Sequence, residues 1–255
     1  MFLSEKKNIG VSLSGGGAKG IAHLGVLQAL EEVGMKPDII AGVSAGAIIG
    51  ALYADGKSPK DICRFLQESG YFKYVSLGIT SKMGLMSNAN FADMLAGYMT
   101  ARTFEELQIP LVVNATELIE GKNVYFYSGG LIDKIVASSS VPIILTPTKI
   151  NGKFYVDGGI FCNMPAKVIR PYCKTLVGVH VNPIIIDRQM KNVRDVAERV
   201  YSLVIQANTV EEKQICDIMI EPVEARNFGM FEKNKGQQIF DIGYRAAMKK
   251  LEKKA

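Results

Sequence analysis

Three short stretches of this 255-residue chain carry residue types that could do chemistry. Gly42-Val43-Ser44-Ala45-Gly46 fits GxSxG. Between a strand and a helix, flanking glycines of this kind permit a sharp turn that pushes the serine hydroxyl outward as a nucleophile. Gly15-Gly16-Gly17-Ala18-Lys19-Gly20 fits GxGxxG. Bare glycine backbone lets neighbouring N–H groups point at one anionic atom, and a following helix adds its positive end. Asp157-Gly158-Gly159 offers a carboxylate before two glycines, which reads either as a base or as a plain turn. Each motif is weak alone, and their value is joint.

A serine nucleophile needs a base. The chain has two histidines, His23 and His180. His23 follows the glycine loop on a helix, where it reads first as a helix-face residue, and His180 lies mid-strand in Leu176–Asn182, where it reads first as a satisfied core histidine. The order Ser44, Asp157, His180 matches the α/β-hydrolase order, so a triad esterase using His180 is one alternative. In that fold several strands precede the elbow, whereas here it follows only the second. A dyad in which Asp157 acts directly on Ser44 is therefore favoured. An ordinary Asp has a pKa of about 3.9 and is a poor base for a hydroxyl. Desolvation could raise its basicity. A strong oxyanion site must supply the rest, since one donor there is worth about 3 kcal/mol. Gly15, Gly16 and Gly17, one loop from Ser44, suit that task. The rival for the glycine loop is a nucleotide-binding module. That fingerprint wants an acidic residue at the end of the second strand, and Asp38, at nearly the right spacing, stands at its beginning.

The elements that would position these groups alternate. Residues 8–14, 38–43, 110–117 and 175–181 read as strands, with 123–127 pairing back after Glu120-Gly121. Residues 19–33, 45–54, 192–215 and 236–251 read as helices, the second apolar all round and hence buried. Ser58, Pro59 and Asp61 form a helix start. Asn151-Gly152 is a hairpin turn leading through 153–156 into Asp157. Residues 71–87, with Tyr71, Phe72, Met83, Leu85 and Met86, read as core or as a mobile flap. The expected fold is α/β, a three-layer α/β/α sandwich with a mostly parallel central sheet. One domain over 1–255 is expected, with a motif-bearing core at about 8–170 and a C-terminal helical part at about 190–255.

Composition narrows the classes. Hydrophobic residues make up 48% and charged residues 22%, which excludes a disordered chain. The net charge of +5 is not clustered as in a nucleic-acid binder. Its densest run, Lys249, Lys250, Lys253 and Lys254, reads as a solvated helix end or as a peripheral contact with an anionic membrane surface. Cys63, Cys162, Cys173 and Cys216 have no metal-ligand spacing, so no metal and no other cofactor is expected, and free thiols point to a reducing, cytoplasmic setting. No signal peptide or spanning segment is read.

Taken together, GGGAKG, GVSAG with its first glycine 22 residues after Gly20, and the distant DGG resemble the patatin-like phospholipases. The resemblance covers about 8–170. It includes the run Ala137-Ser138-Ser139-Ser140-Val141-Pro142, and Asn163 with Pro165. It implies a Ser–Asp dyad hydrolase of lipid acyl esters, phospholipids or lysophospholipids, with nucleophile Ser44, base Asp157 and oxyanion donors from Gly15, Gly16 and Gly17. Lys19 takes a basic loop position, orienting the loop or attracting an anionic head group. Gly20, Gly42, Gly46, Gly158 and Gly159 complete the motifs. Ile160 and Asn163-Met164-Pro165 depart from the commoner family pattern.

Overall fold

The computed structural model describes residues 6–69, 89–183, 190–191, 193–229, 232 and 234–252. Residues 71–87 fall outside the described residues.

The strands are β1 (Lys7–Leu13), β2 (Ile39–Gly42), β3 (Leu111–Glu117), β4 (Lys122–Phe126), β5 (Thr148–Ile150), β6 (Lys153–Asp157), β7 (Cys173–Val179) and β8 (Ile218–Ile220). They form one sheet in the order β5-β6-β3-β2-β1-β7-β8, with β4 on β3. From β3 to β8 every pairing is parallel, while β4, β5 and β6 pair antiparallel. Alternate residues of each parallel strand feed opposite faces. Ile40, Leu111, Val113, Val177 and Val179 enter the larger core. Ile39, Ala41, Val112 and Leu176 enter a second core on the other face. A sheet buried on both faces by helices is the expected mostly parallel α/β architecture.

The larger core is covered by α1 (Ile21–Glu32), α2 (Ala45–Ala54) and α3 (Pro59–Glu68), with α4 (Ala89–Tyr98), α5 (Ile132–Ser138) and the C-terminal helix Gly236–Leu251 beside them. All ten residues of α2 are buried, as its unbroken apolar composition requires. Ser58 caps α3 by accepting from Asp61 N. α6 (Ala166–Ile169) packs into the second core. The helix expected over 192–215 is two, α7 (Val193–Ala207) and α8 (Val210–Gln214), because the chain turns at Asn208-Thr209. α9 is Gly236–Leu251. The C-terminal part is not purely helical either: β8 extends the sheet beyond β7, a three-residue strand too short to show a period. Asn151 and Gly152 both take positive φ, 48° and 83°, the conformation that a tight β5–β6 hairpin demands.

Strand register explains how two motifs more than a hundred residues apart meet. Gly42 of β2 and Phe126 of β4 both pair with Val113, so β2 and β4 flank opposite edges of β3. Asp157 of β6 and Val124 of β4 both pair with Ala115, so β6 takes the edge opposite β4. β2 and β6 therefore share one edge of β3. They run against each other, and their carboxyl ends meet two residues apart.

Candidate active site

Two residues beyond the end of β2, Ser44 adopts φ 54° and ψ −124°, a strained backbone that a non-glycine residue seldom holds. The neighbours enforce it. A Cβ on Gly46 would stand 2.2 Å from Leu13 O, and one on Gly42 2.4 Å from Gly46 O. Only glycines permit the elbow to press against the end of β1. Ser44 N donates to Ser138 Oγ at 2.9 Å, and the Ser139 hydroxyl lies 3.3 Å from Ser44 O. Ser140 O accepts from Asp157 N at 2.9 Å. The serine run at the end of α5 thus grips both sides of the site.

Asp157 is wholly buried, and its Oδ1 accepts from Gly159 N at 2.8 Å. Thr116 Oγ1 donates to its carbonyl at 3.0 Å. Asn114 Nδ2, also on β3, donates to Gly158 O and Cys162 O. A Cβ on Gly158 would meet Asn114 O at 2.4 Å, so this glycine lets the turn lie against β3. Burial lifts the Asp157 carboxyl from 3.8 to about 6, and the Ser44 hydroxyl, Gly159 N–H and Tyr201 hydroxyl act against that rise. Oδ2 closes no hydrogen bond in this resting geometry. Contacts of this kind commonly tighten only with substrate bound.

The glycine loop opens on the same sheet edge. A Cβ on Gly15 would come 3.3 Å from Ser44 Cβ and 2.5 Å from Asn163 Oδ1. A Cβ on Gly20 would come 2.5 Å from Ala45 Cβ. The three loop glycines expected to donate differ in their surroundings. Gly15 N is already given to Asn163 O at 3.2 Å. Gly16 and Gly17 stand at the start of the helical turn Gly17–Gly20, where the first amides have no intrahelical acceptor. Lys19 is buried, and its Nζ donates to Asn182 Oδ1. That contact holds the loop to the segment after β7.

Neither histidine joins this group. His23 Nε2 donates to Ser14 O at 2.8 Å beneath the loop, and burial lowers its pKa to about 4, which keeps it neutral. His180 lies one residue past the end of β7 rather than mid-strand, and its N–H bonds Ile220 O. Its Nδ1 faces Glu221 Oε1 at 3.0 Å, not Asp157. Asp38 Oδ2 accepts from Asn8 N and Ile9 N at the amino end of the strands, away from the glycine loop. Among the described residues, no three His, Cys, Asp or Glu side chains converge as metal ligands.

Two contributors escape sequence reasoning. The Tyr201 hydroxyl, from α7, reaches the Asp157 carboxylate. Asn208 Nδ2 donates to Gly159 O and Ile160 O, at 2.8 and 3.0 Å, while its Oδ1 accepts from Asn163 N at 2.8 Å. Neither lies in a motif. The one sequence signal is a tyrosine and an asparagine seven residues apart on a single helical face.

The arrangement can deliver a hydroxyl to a basic carboxylate beside the backbone of the glycine loop. Comparison with known proteins bears on the family and the fold. An uncharacterised NTE family protein of Mycobacterium tuberculosis is 32% identical over 164 residues, 64% of this chain and 45% of that one. Lysophospholipase NTE1 of Cryptococcus neoformans is 31% identical over 177 residues, 64% of this chain and 10% of that one. The chain therefore spans less than half the length of either relative. The crystal structure of VipD from Legionella pneumophila shares the fold, with a TM-score of 0.55 at 17% identity over 98% of this chain and 67% of that one. The family model described as patatin-like phospholipase matches residues 11–169, which takes in all three motifs, and the chain belongs to that family.

Proposed function

We propose that the protein is a serine hydrolase that cleaves acyl esters of phospholipids or lysophospholipids through a Ser44–Asp157 dyad and an acyl-enzyme intermediate. The observation that carries this reading is a strained, motif-borne serine beside a wholly buried carboxylate with a pKa near 6. Asp157 takes the Ser44 proton as Oγ attacks the ester carbonyl carbon. The oxyanion is held by the amides of Gly16 and Gly17, and the positive end of α2 lies under Ser44. Asp157 then gives its proton to the departing alcohol or lysolipid oxygen. In the second half, water loses a proton to Asp157 and attacks the acyl carbon. The proton returns to Ser44 as the fatty acid leaves.

The same reading treats the chain as one functional unit that works in contact with a lipid surface. Exposed Ile143 and Phe161, on loops that follow the serine run and the Asp157 turn, support this. So do Val196, Val200 and Leu203 on the outward side of α7. Among the described residues no helix is long and apolar enough to cross a membrane. The free cysteines support a reducing compartment.

The test is incubation with mixed phospholipids and short p-nitrophenyl esters beside a Ser44→Ala control, together with fluorophosphonate labelling. Fatty acid release and labelling of Ser44, both lost in the variant, are expected. Undiminished hydrolysis by Ser44→Ala would overturn the assignment.

A further inference from the structure

The turn that carries Asp157 is finished by a part of the chain that the family match, ending at residue 169, does not reach. A methyl built on Gly159 would stand 3.0 Å from each of Asp157 Oδ1, Asn163 Oδ1 and Tyr201 Oη. Three polar groups thus crowd one bare Cα, and one of them arrives on α7. Asn208, two turns further along the same face, ties that helix end to the carbonyls of Gly159 and Ile160 and to the amide of Asn163. The end of α7 is therefore fastened to the turn that Tyr201 Oη approaches.

We propose that Tyr201 is a positioning residue whose hydroxyl holds the Asp157 carboxyl plane so that Oδ2 is turned toward Ser44. The inference rests on the hydrolase reading above. A single bond to Oδ1 from Gly159 N cannot fix that plane, because the terminal torsion of Asp is broad and two-fold. A second donor, from another element, fixes it. Burial beside a carboxylate holds the Tyr201 phenol well above its ordinary range, so the hydroxyl remains a donor at every working pH. The groups acting on Asp157 are the Ser44 hydroxyl from the elbow, Gly159 N from the turn and Tyr201 from α7, with no charged side chain among them. Removing the phenol oxygen therefore leaves a signature that loss of packing would not. The carboxylate loses a donor that favours its charged form, and its ionisation moves to higher pH.

Tyr201→Phe keeps the ring and removes only the hydroxyl. We expect kcat to fall roughly tenfold with KM nearly unchanged. The acid limb of kcat/KM should rise by about one pH unit. Tyr201→3,5-difluorotyrosine, a stronger donor of nearly the same shape, should move that limb down, and it serves if the Phe variant fails to fold. Carbonyl-labelled aspartate, followed by 13C NMR and assigned through Asp157→Asn, reads the same displacement without turnover. If the Asp157 titration moves as expected while the wild type hydrolyses no lipid, the clamp stands and the hydrolase reading falls. If the wild type is active and neither limb nor titration moves, the clamp is overturned.

Discussion

Asp157→Asn should make the protein inactive and more stable. Asparagine has the same shape, and its Oδ1 can still accept from Gly159 N. What disappears is a charge forced into a site with no access to water. The carboxyl is displaced from 3.8 to about 6, with burial as the leading cause. A tenfold change in acidity is worth about 1.4 kcal/mol, and the gap is a little over two such steps, so the folded state carries a penalty of about 3 kcal/mol. The sign follows from which state binds the proton. Above pH 6 the carboxylate is charged in both states and the penalty is complete. Between about 6 and 3.8 the folded state protonates first and the penalty fades. Below 3.8 both states are neutral and it is gone. Urea unfolding at pH 8 should therefore show the variant more stable by about 2–3 kcal/mol, with an unchanged denaturant slope. At pH 4 the two proteins should nearly coincide. Equal or lower stability of the variant at pH 8 would refute the idea that Asp157 is held as a desolvated base.

Other outcomes follow from the same geometry. The acid limb of wild-type kcat/KM should fall near pH 6, with activity lost below it as Asp157 takes a proton; a limb near pH 4 would contradict the burial effect. Gly159→Ala places a methyl 3.0 Å from three polar groups, so turnover should drop more than tenfold and the urea midpoint should fall by the equivalent of about 1–3 kcal/mol. Asn208→Ala removes the fork on Gly159 O, Ile160 O and Asn163 N, and calorimetry should record a loss of about 1–3 kcal/mol. His180→Asn should keep kcat/KM within about threefold, since His180 faces Glu221; a loss beyond a hundredfold in a folded protein would restore the triad.

Much of the site could be read from the chain because its parts are local. The elbow needs Gly42 and Gly46 at fixed offsets from Ser44, and the hairpin needs Asn151-Gly152, so short-range sterics write them into short motifs. The strands of the parallel sheet are equally plain, being near-continuous apolar runs. What escaped depends on partners distant in sequence. Gly15 looks like its two neighbours, and only the approach of Asn163 O takes its amide. Lys19 looks exposed until the segment after β7 brings Asn182 to it. Tyr201 and Asn208 lie on a helix whose pattern shows amphipathicity but not which residue its inner face will meet. The division of that helix at Asn208 is set by the same contacts.

Ser44 and Asp157 hang from a single beam. β2 and β6 abut on one edge of β3, so hydroxyl and carboxylate travel together if that strand shifts. The glycine cradle belongs to β1, on the next beam across. Gly46 leaves no room between the elbow and Leu13 O, so a shift of β1 would be felt at Ser44 as well as at the cradle.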